Sequence, residues 1–274
     1  MTFALATPRA LPDLRRMWAD APGFTGLALL LILALVPLYA AMVLDARIFQ
    51  GESPWQKPVK FHVALGIYMA TLAFFARYLP EPIRASGSWR IFAAAVMLAV
   101  LGEVGWLSAA AMQNTASHFN TEIPAFIAVY PIMGVLAVLL TSASLVMGIA
   151  IWRNPGTGLD PALRLSIALG LILTFGATVM VAGYLSANEG HFVGTSTRQM
   201  ALMGWSRDAG DLRVAHFLAT HALHTLPLVG LLAIRLSPAR ATLTVMLAAA
   251  GYATLIAGTF VQALNGQPFL PFLG

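Results

Sequence analysis

The chain has 274 residues, of which 59% are hydrophobic and only 10% charged, with a mean hydropathy of +0.78. Soluble globular domains carry about 25% charged residues, so the composition excludes a disordered chain, a nucleic-acid-binding domain and an ordinary cytosolic enzyme; a polytopic membrane protein remains. The net charge of +5 reads as a topology signal rather than a nucleic-acid footprint, and the lack of cysteine removes disulfides, thiolate metal sites and thiol catalysis.

Residues 1–22 form a polar arm carrying Arg9, Arg15 and Arg16. The apolar run behind it is longer than the roughly 7–15 residues of a cleavable signal, which predicts an uncleaved first helix after a short amphipathic or disordered arm. Runs of the length needed to cross a bilayer, about 20 residues, fall at 23–45, 61–79, 91–112, 126–152, 163–185, 214–234 and 240–264. Pro54, Pro58, Pro80, Pro82, Pro155, Pro161 and Pro238 lie between them, as residues that do not continue a helix. Alternating strand patterns are absent, and backbone groups in lipid must be satisfied internally. The expected fold is all-α: a transmembrane bundle of about seven spans. It comprises the arm at 1–22, a single helical domain at 23–265 and a tail at 266–274.

Basic residues set the orientation. With the N-terminus cytoplasmic, one side holds Arg9, Arg15, Arg16, Arg77, Arg84, Arg90, Arg153, Arg164, Arg235 and Arg240. The other holds Arg47, Lys57, Lys60, Arg198, Arg207 and Arg213, together with Asp45, Glu52, Glu122, Glu189, Asp208 and Asp211. The bias favours N-in, C-out. The location is then a cytoplasmic (bacterial inner) membrane, with an outer tail.

All six histidines, His62, His118, His191, His216, His221 and His224, then fall in the outer half or on outer loops. The longest connection, 186–213, lies on that side, and long connections in compact domains tend to carry function. It runs from Trp205-Ser206-Arg207-Asp208 through Asp211 and Arg213 into a helix bearing His216, His221 and His224. At 100° per residue His221 and His224 lie roughly 140° and 80° from His216. His221 and His224 form an i,i+3 pair about 4.5 Å apart along the axis, able to share one ion.

Glu103 sits about 15–20 Å from either end of the third span, at a depth similar to His224. A mid-membrane carboxylate faces the bundle interior and has a partner; its alternatives are a helix-to-helix hydrogen bond or a protonated acid. Asp208 and Asp211 are candidate general bases, with helix N-capping as the alternative. Lys57 and Lys60 are either interfacial anchors or a clamp for an anionic head group or propionate, and Arg213 snorkels to the interface, pairs with an outer carboxylate or meets a propionate. His118 and His62 are candidate ligands, and His191 is expected to be solvated.

The stretches Pro54-Trp55-Gln56-Lys57-Pro58-Val59-Lys60-Phe61, Ser117-His118-Phe119-Asn120, Gly204-Trp205-Ser206 and Gly210-Asp211-Leu212-Arg213-Val214-Ala215-His216-Phe217 with His221-Ala222 resemble a family of uncharacterised bacterial multipass membrane proteins. The resemblance runs from the first outer loop through the sixth helix. It implies a membrane location and a helical fold, and no reaction. His118, His216 and His221 lie inside the shared motifs; His62 and His224 do not.

Four functional readings follow. In the first, haem b or a metal ion serves redox work, with His216 or His221 paired with His62 or His118, Lys57, Lys60 or Arg213 on the propionates, and a redox partner or quinone in the membrane. The second is a membrane metal-dependent hydrolase or oxygenase with His221, His224 and Glu103 as ligands to a divalent ion and Asp208 or Asp211 as base. The third is a small-solute or proton transporter using Glu103 and the histidines, and the fourth a non-catalytic accessory subunit. Nucleotide-binding signatures are absent, and neither nucleic acid nor soluble nucleotide chemistry is expected.

Overall fold

The structure, a computed structural model, describes residues 13–120, 123–200 and 203–273. Most of the arm, together with Glu122 and the last tail residue, lies outside the described residues.

Among the described residues seven stretches are helical, long and apolar enough to cross a membrane. The described part of the arm is a short helix, α1 (Leu14–Asp20), capped by Asp13. The first span is α2 (Pro22–Leu33) and α3 (Leu35–Leu44), interrupted at Ala34. Pro37 causes that break, since it has no N–H to return to the carbonyl of Leu33. The second span is α4 (Gln56–Phe75), and a short surface helix, α5 (Glu81–Ala85), leads to the third, α6 (Gly87–Met112). The fourth and fifth are α7 (Pro124–Trp152) and α8 (Pro161–Ala187). The sixth and seventh are α9 (Leu212–Leu236) and α10 (Ala241–Leu264).

Pro22, Pro124 and Pro161 occupy the first helical turn, where the missing N–H costs nothing. Ser86, Asp160 and Asp211 cap α6, α8 and α9 through their side-chain oxygens. The second span starts five residues earlier than its apolar pattern. Pro58 falls within the first turn of α4 and is tolerated there, so Lys57 and Lys60 stand on the helix and not on a loop.

The helices pack α2 on α4, α6 on α7, α7 on α8, α8 on α9 and α9 on α10. Gly170 lets α8 lie directly on the backbone of Ala222 and Leu223, where a Cβ would meet the Ala222 carbonyl at 2.9 Å. Thr174 accepts the Leu223 N–H there at 2.9 Å. The main core joins Leu31, Met69, Leu72, Val100, Met147 and Leu171, from five spans.

The two ends of the bundle differ. At one end the connections are short: Arg84 pairs with Asp20, and Asn154 donates to the Tyr78 carbonyl at 2.9 Å. The other end is loop-rich. There Arg47 reaches the Met112 carbonyl at 3.0 Å, and Trp205 packs on Phe269. A two-stranded ribbon, β1 (Phe192–Val193) and β2 (Gly210–Asp211), ties the long connection to α9. Gly210 is required here: a Cβ would sit 1.9 Å from the Ala263 carbonyl oxygen of α10.

Candidate functional site

One face of α4 carries three polar side chains that reach other elements. At 100° per residue, Lys57, Tyr68 and Thr71 fall within about 60° of one another. Each reaches a different neighbour: Lys57 the loop after α6, Tyr68 the Leu140 carbonyl of α7 at 3.0 Å, and Thr71 the sixth span.

His118 is held in the turn that follows α6. Phe119 adopts φ 56°, an uncommon left-handed conformation for a residue with a side chain, which sets its ring between Tyr130 and His191. The Lys57 ammonium donates to His118 Nδ1 at 3.1 Å. Because an ammonium has no acceptor, Nδ1 carries the lone pair and Nε2 the proton. Burial, then the Lys57 charge and His191, push the His118 pKa down to about 3, so the ring is neutral. Trp106 donates to the Ser117 carbonyl at 2.8 Å and fixes the same turn to α6.

His191 is half-buried against Phe119 and Phe192, contrary to the expectation of a solvated side chain. Burial, then Arg213 and Lys57, lower its pKa to about 4. The ribbon pins its backbone, whose carbonyl accepts from Leu212 N at 3.0 Å.

On α9 the three histidines have different hydrogen-bond states. His221 donates from Nδ1 to the Phe217 carbonyl at 2.7 Å, and its ring stacks on Phe217. A carbonyl only accepts, so the proton is on Nδ1 and the lone pair on Nε2, which no hydrogen bond reaches among the described residues. Thr71 gives its own hydrogen to Ile67 at 2.8 Å. Toward His224 it can therefore only accept, and His224 donates from Nε2 at 3.0 Å. His216 Nδ1 is buried without a partner.

Glu103 is 4% exposed, and its Oε1 has no hydrogen-bond partner. Lys57 lies close enough to interact with it electrostatically, yet none of the four ion pairs among the described residues involves Glu103.

Several expectations are corrected by these placements. His221, His224 and Glu103 do not form a ligand set: among the described residues no group of three or more His, Asp or Glu side chains is placed to hold an ion. His62 lies about 180° around α4 from Thr71. It is buried, donates from Nδ1 to the Pro58 carbonyl at 2.8 Å, and points away from the face shared with α9. It therefore does not pair with His216 or His221. Lys60 is exposed.

Asp208 is no free base. Its oxygens accept from the Thr197 hydroxyl and N–H, the Arg198 N–H and the Ser206 hydroxyl. The Thr197 hydroxyl is the largest of the causes that hold its pKa down at about 2. Asp211 is the N-cap of α9, the alternative the sequence left open. It accepts from Ser206 N at 2.8 Å and is forked by Arg213 at 2.9 and 2.7 Å. Arg213 also donates to the Gly204 carbonyl and lies over Phe192, so it too is committed to the loop.

Thr71, Trp106 and Tyr130 belong to this cluster and were missed in the sequence. Thr71 was detectable, because it shares a helical face with Lys57. Trp106 and Tyr130 read as ordinary aromatic residues of apolar spans. No protein-family model, curated protein or solved structure matches the chain.

Proposed function

We propose that this multipass membrane protein binds a haem b for redox work in its loop-rich half, with His221 as the iron ligand. In this reading the N-terminus is cytoplasmic, the loop-rich end faces outward, and the membrane is a bacterial inner membrane. The carrying observation is His221, whose Nδ1–H is spent on the Phe217 carbonyl while, among the described residues, no hydrogen bond reaches Nε2. That arrangement orients an imidazole and raises its basicity as a metal ligand.

A porphyrin supplies four of the iron's ligands, so a single protein imidazole suffices. A bare divalent ion needs three or four protein groups, which favours haem over the hydrolase reading. Transport is disfavoured by the distribution of charge. Between the Glu103–His224 level and the short-loop end, the spans carry only arginines near their termini, and a relay needs groups through the whole thickness. When bound, the haem supplies a one-electron couple; the chain's own part is to orient the ligand and keep its surroundings apolar and neutral.

The test is an absorption spectrum with iron analysis on detergent-purified protein. One haem per chain is expected, lost in His221→Ala and retained in His191→Ala and His62→Ala. A sample with no Soret band and no stoichiometric iron, or equal haem in all three variants, overturns the proposal.

A further inference from the structure

Two groups of opposite charge approach each other in the interior of the loop-rich half without meeting. Glu103 is 4% exposed with Oε1 unpartnered, and Lys57 interacts with it electrostatically from α4. Among the described residues neither a hydrogen bond nor an ion pair joins them. Lys57 uses one of its three hydrogens on His118. A buried carboxylate oxygen without a donor is costly, and such an orphan marks a place for an absent partner.

The chemistry of the gap narrows what fits. Glu103 needs a donor and Lys57 needs an acceptor, so the occupant carries both. With Glu103 ionised its charge offsets that of Lys57, and His118 and His191 beside them are neutral, which selects an uncharged occupant. Aromatic side chains flank the position: Trp106 lies one turn beyond Glu103 and packs on Phe126 at 4.5 Å, and Tyr130 packs on His118. Between α7 and α8 a groove of apolar side chains, including Val135 and Val138, runs to Tyr130. Both valines are exposed, so the groove opens toward lipid and ends at Tyr130, whose ring packs on His118.

We propose that a membrane-soluble hydroquinone seats its head group between Glu103 and Lys57. One hydroxyl donates to Glu103 Oε1, a hydroxyl oxygen accepts from Lys57 Nζ, and the tail follows the groove past Tyr130. This deepens the redox reading above, and rests on it, by naming the class of molecule the site takes.

The test is isothermal titration of the purified full-length chain with decylhydroquinone and with its dimethyl ether, which keeps the shape but has no hydroxyl donor. Saturable 1:1 binding is expected, with the ether at least tenfold weaker, since a hydrogen bond to a charged group is lost. Glu103→Leu and Lys57→Met should each weaken hydroquinone binding about tenfold or more, whereas Glu103→Gln, which keeps an acceptor, should weaken it less. Absence of saturable binding, or equal affinity for hydroquinone and ether, overturns the proposal on the unaltered protein, whatever happens to the folding of the variants. Unchanged affinity in a folded Glu103→Leu protein overturns it as well. The haem reading is judged separately by the Soret band: protein without haem that binds hydroquinone sinks only that reading, and haem-loaded protein that does not bind sinks only this one.

Discussion

Lys57 on the second span donates to Nδ1 of His118, 61 residues away in the turn after the third, at 3.1 Å. The contact joins a cation at a helix start to an imidazole that burial already keeps neutral. Removing the cation in Lys57→Met should raise the His118 pKa from about 3. Burial is the larger cause of the depression, so the value should stay below the ordinary 6.5. An NMR titration of histidine-labelled protein measures this directly. A His118 pKa that does not move would mean that the ammonium does not face Nδ1 in solution.

The two depressed loop histidines make stability depend on pH. His118 and His191 have folded pKa values of about 3 and 4, below the 6.5 of the free side chain. Between those values and 6.5 the unfolded chain binds more protons, so stability rises with pH through this window and is lost on acidification. Each histidine contributes a slope of at most about 1.4 kcal/mol per pH unit. Asp208, with its pKa lowered from 3.8 to about 2, acts between those values, below the range of the melts. Melting in detergent from pH 4.5 to 7.5 should show the rise, flattened in His118→Gln. A melting temperature independent of pH would contradict the burial of both rings.

The spans were legible because lipid imposes one local rule: an apolar run of bilayer length must be helical. The runs at 126–152 and 163–185 became α7 and α8 with ends shifted by at most two residues. The grouping of polar residues in the loop-rich half was also legible. Their partners were not, because a histidine's role depends on which acceptor lies within 3 Å. His62 and His221 look equivalent in sequence and both donate from Nδ1 to the carbonyl four residues earlier. What separates them is their surroundings: His62 is buried, whereas His221 is half-buried and stacked on Phe217. Asp211 was ambiguous for a similar reason: base and cap differ only in what its oxygens touch.

The fit of the ribbon on the seventh span depends on a missing side chain. A Cβ on Gly210 would lie 1.9 Å from the Ala263 oxygen and 2.8 Å from its carbon. Both are backbone atoms of α10 and cannot rotate aside. Gly210→Ala should therefore destabilise by about 1–3 kcal/mol, as overpacking does. Gly251→Ala, in the same helix with nothing within 4 Å of the added carbon, should be neutral or stabilising by up to about 1 kcal/mol. Thermal melts of the two variants compare them directly, and equal melting temperatures would show that the ribbon does not press on α10.

The Asp211–Arg213 pair should matter far more than a surface ion pair. The Asp211 side chain is fully buried and that of Arg213 is 27% exposed. Asp211 also caps α9 and holds the Ser206 N–H. Asp211→Ala thus removes a cap, orphans a buried donor and frees a guanidinium, at a cost of about 3–5 kcal/mol. Arg213→Lys keeps the charge and loses the fork, so it should fall between wild type and Arg213→Ala. In a double-mutant cycle with Arg213→Ala the coupling should exceed about 1 kcal/mol, against about 0.2–1 kcal/mol for exposed pairs. Arg198 and Arg207 provide tryptic sites in the same loop, Arg198 being exposed. Asp211→Ala should speed cleavage there, because Ser206 loses the acceptor that anchors the loop to α9. A coupling near zero with unchanged cleavage would reduce the pair to an incidental contact and leave the ribbon and the Trp205–Phe217 contact to tether the loop to the sixth span.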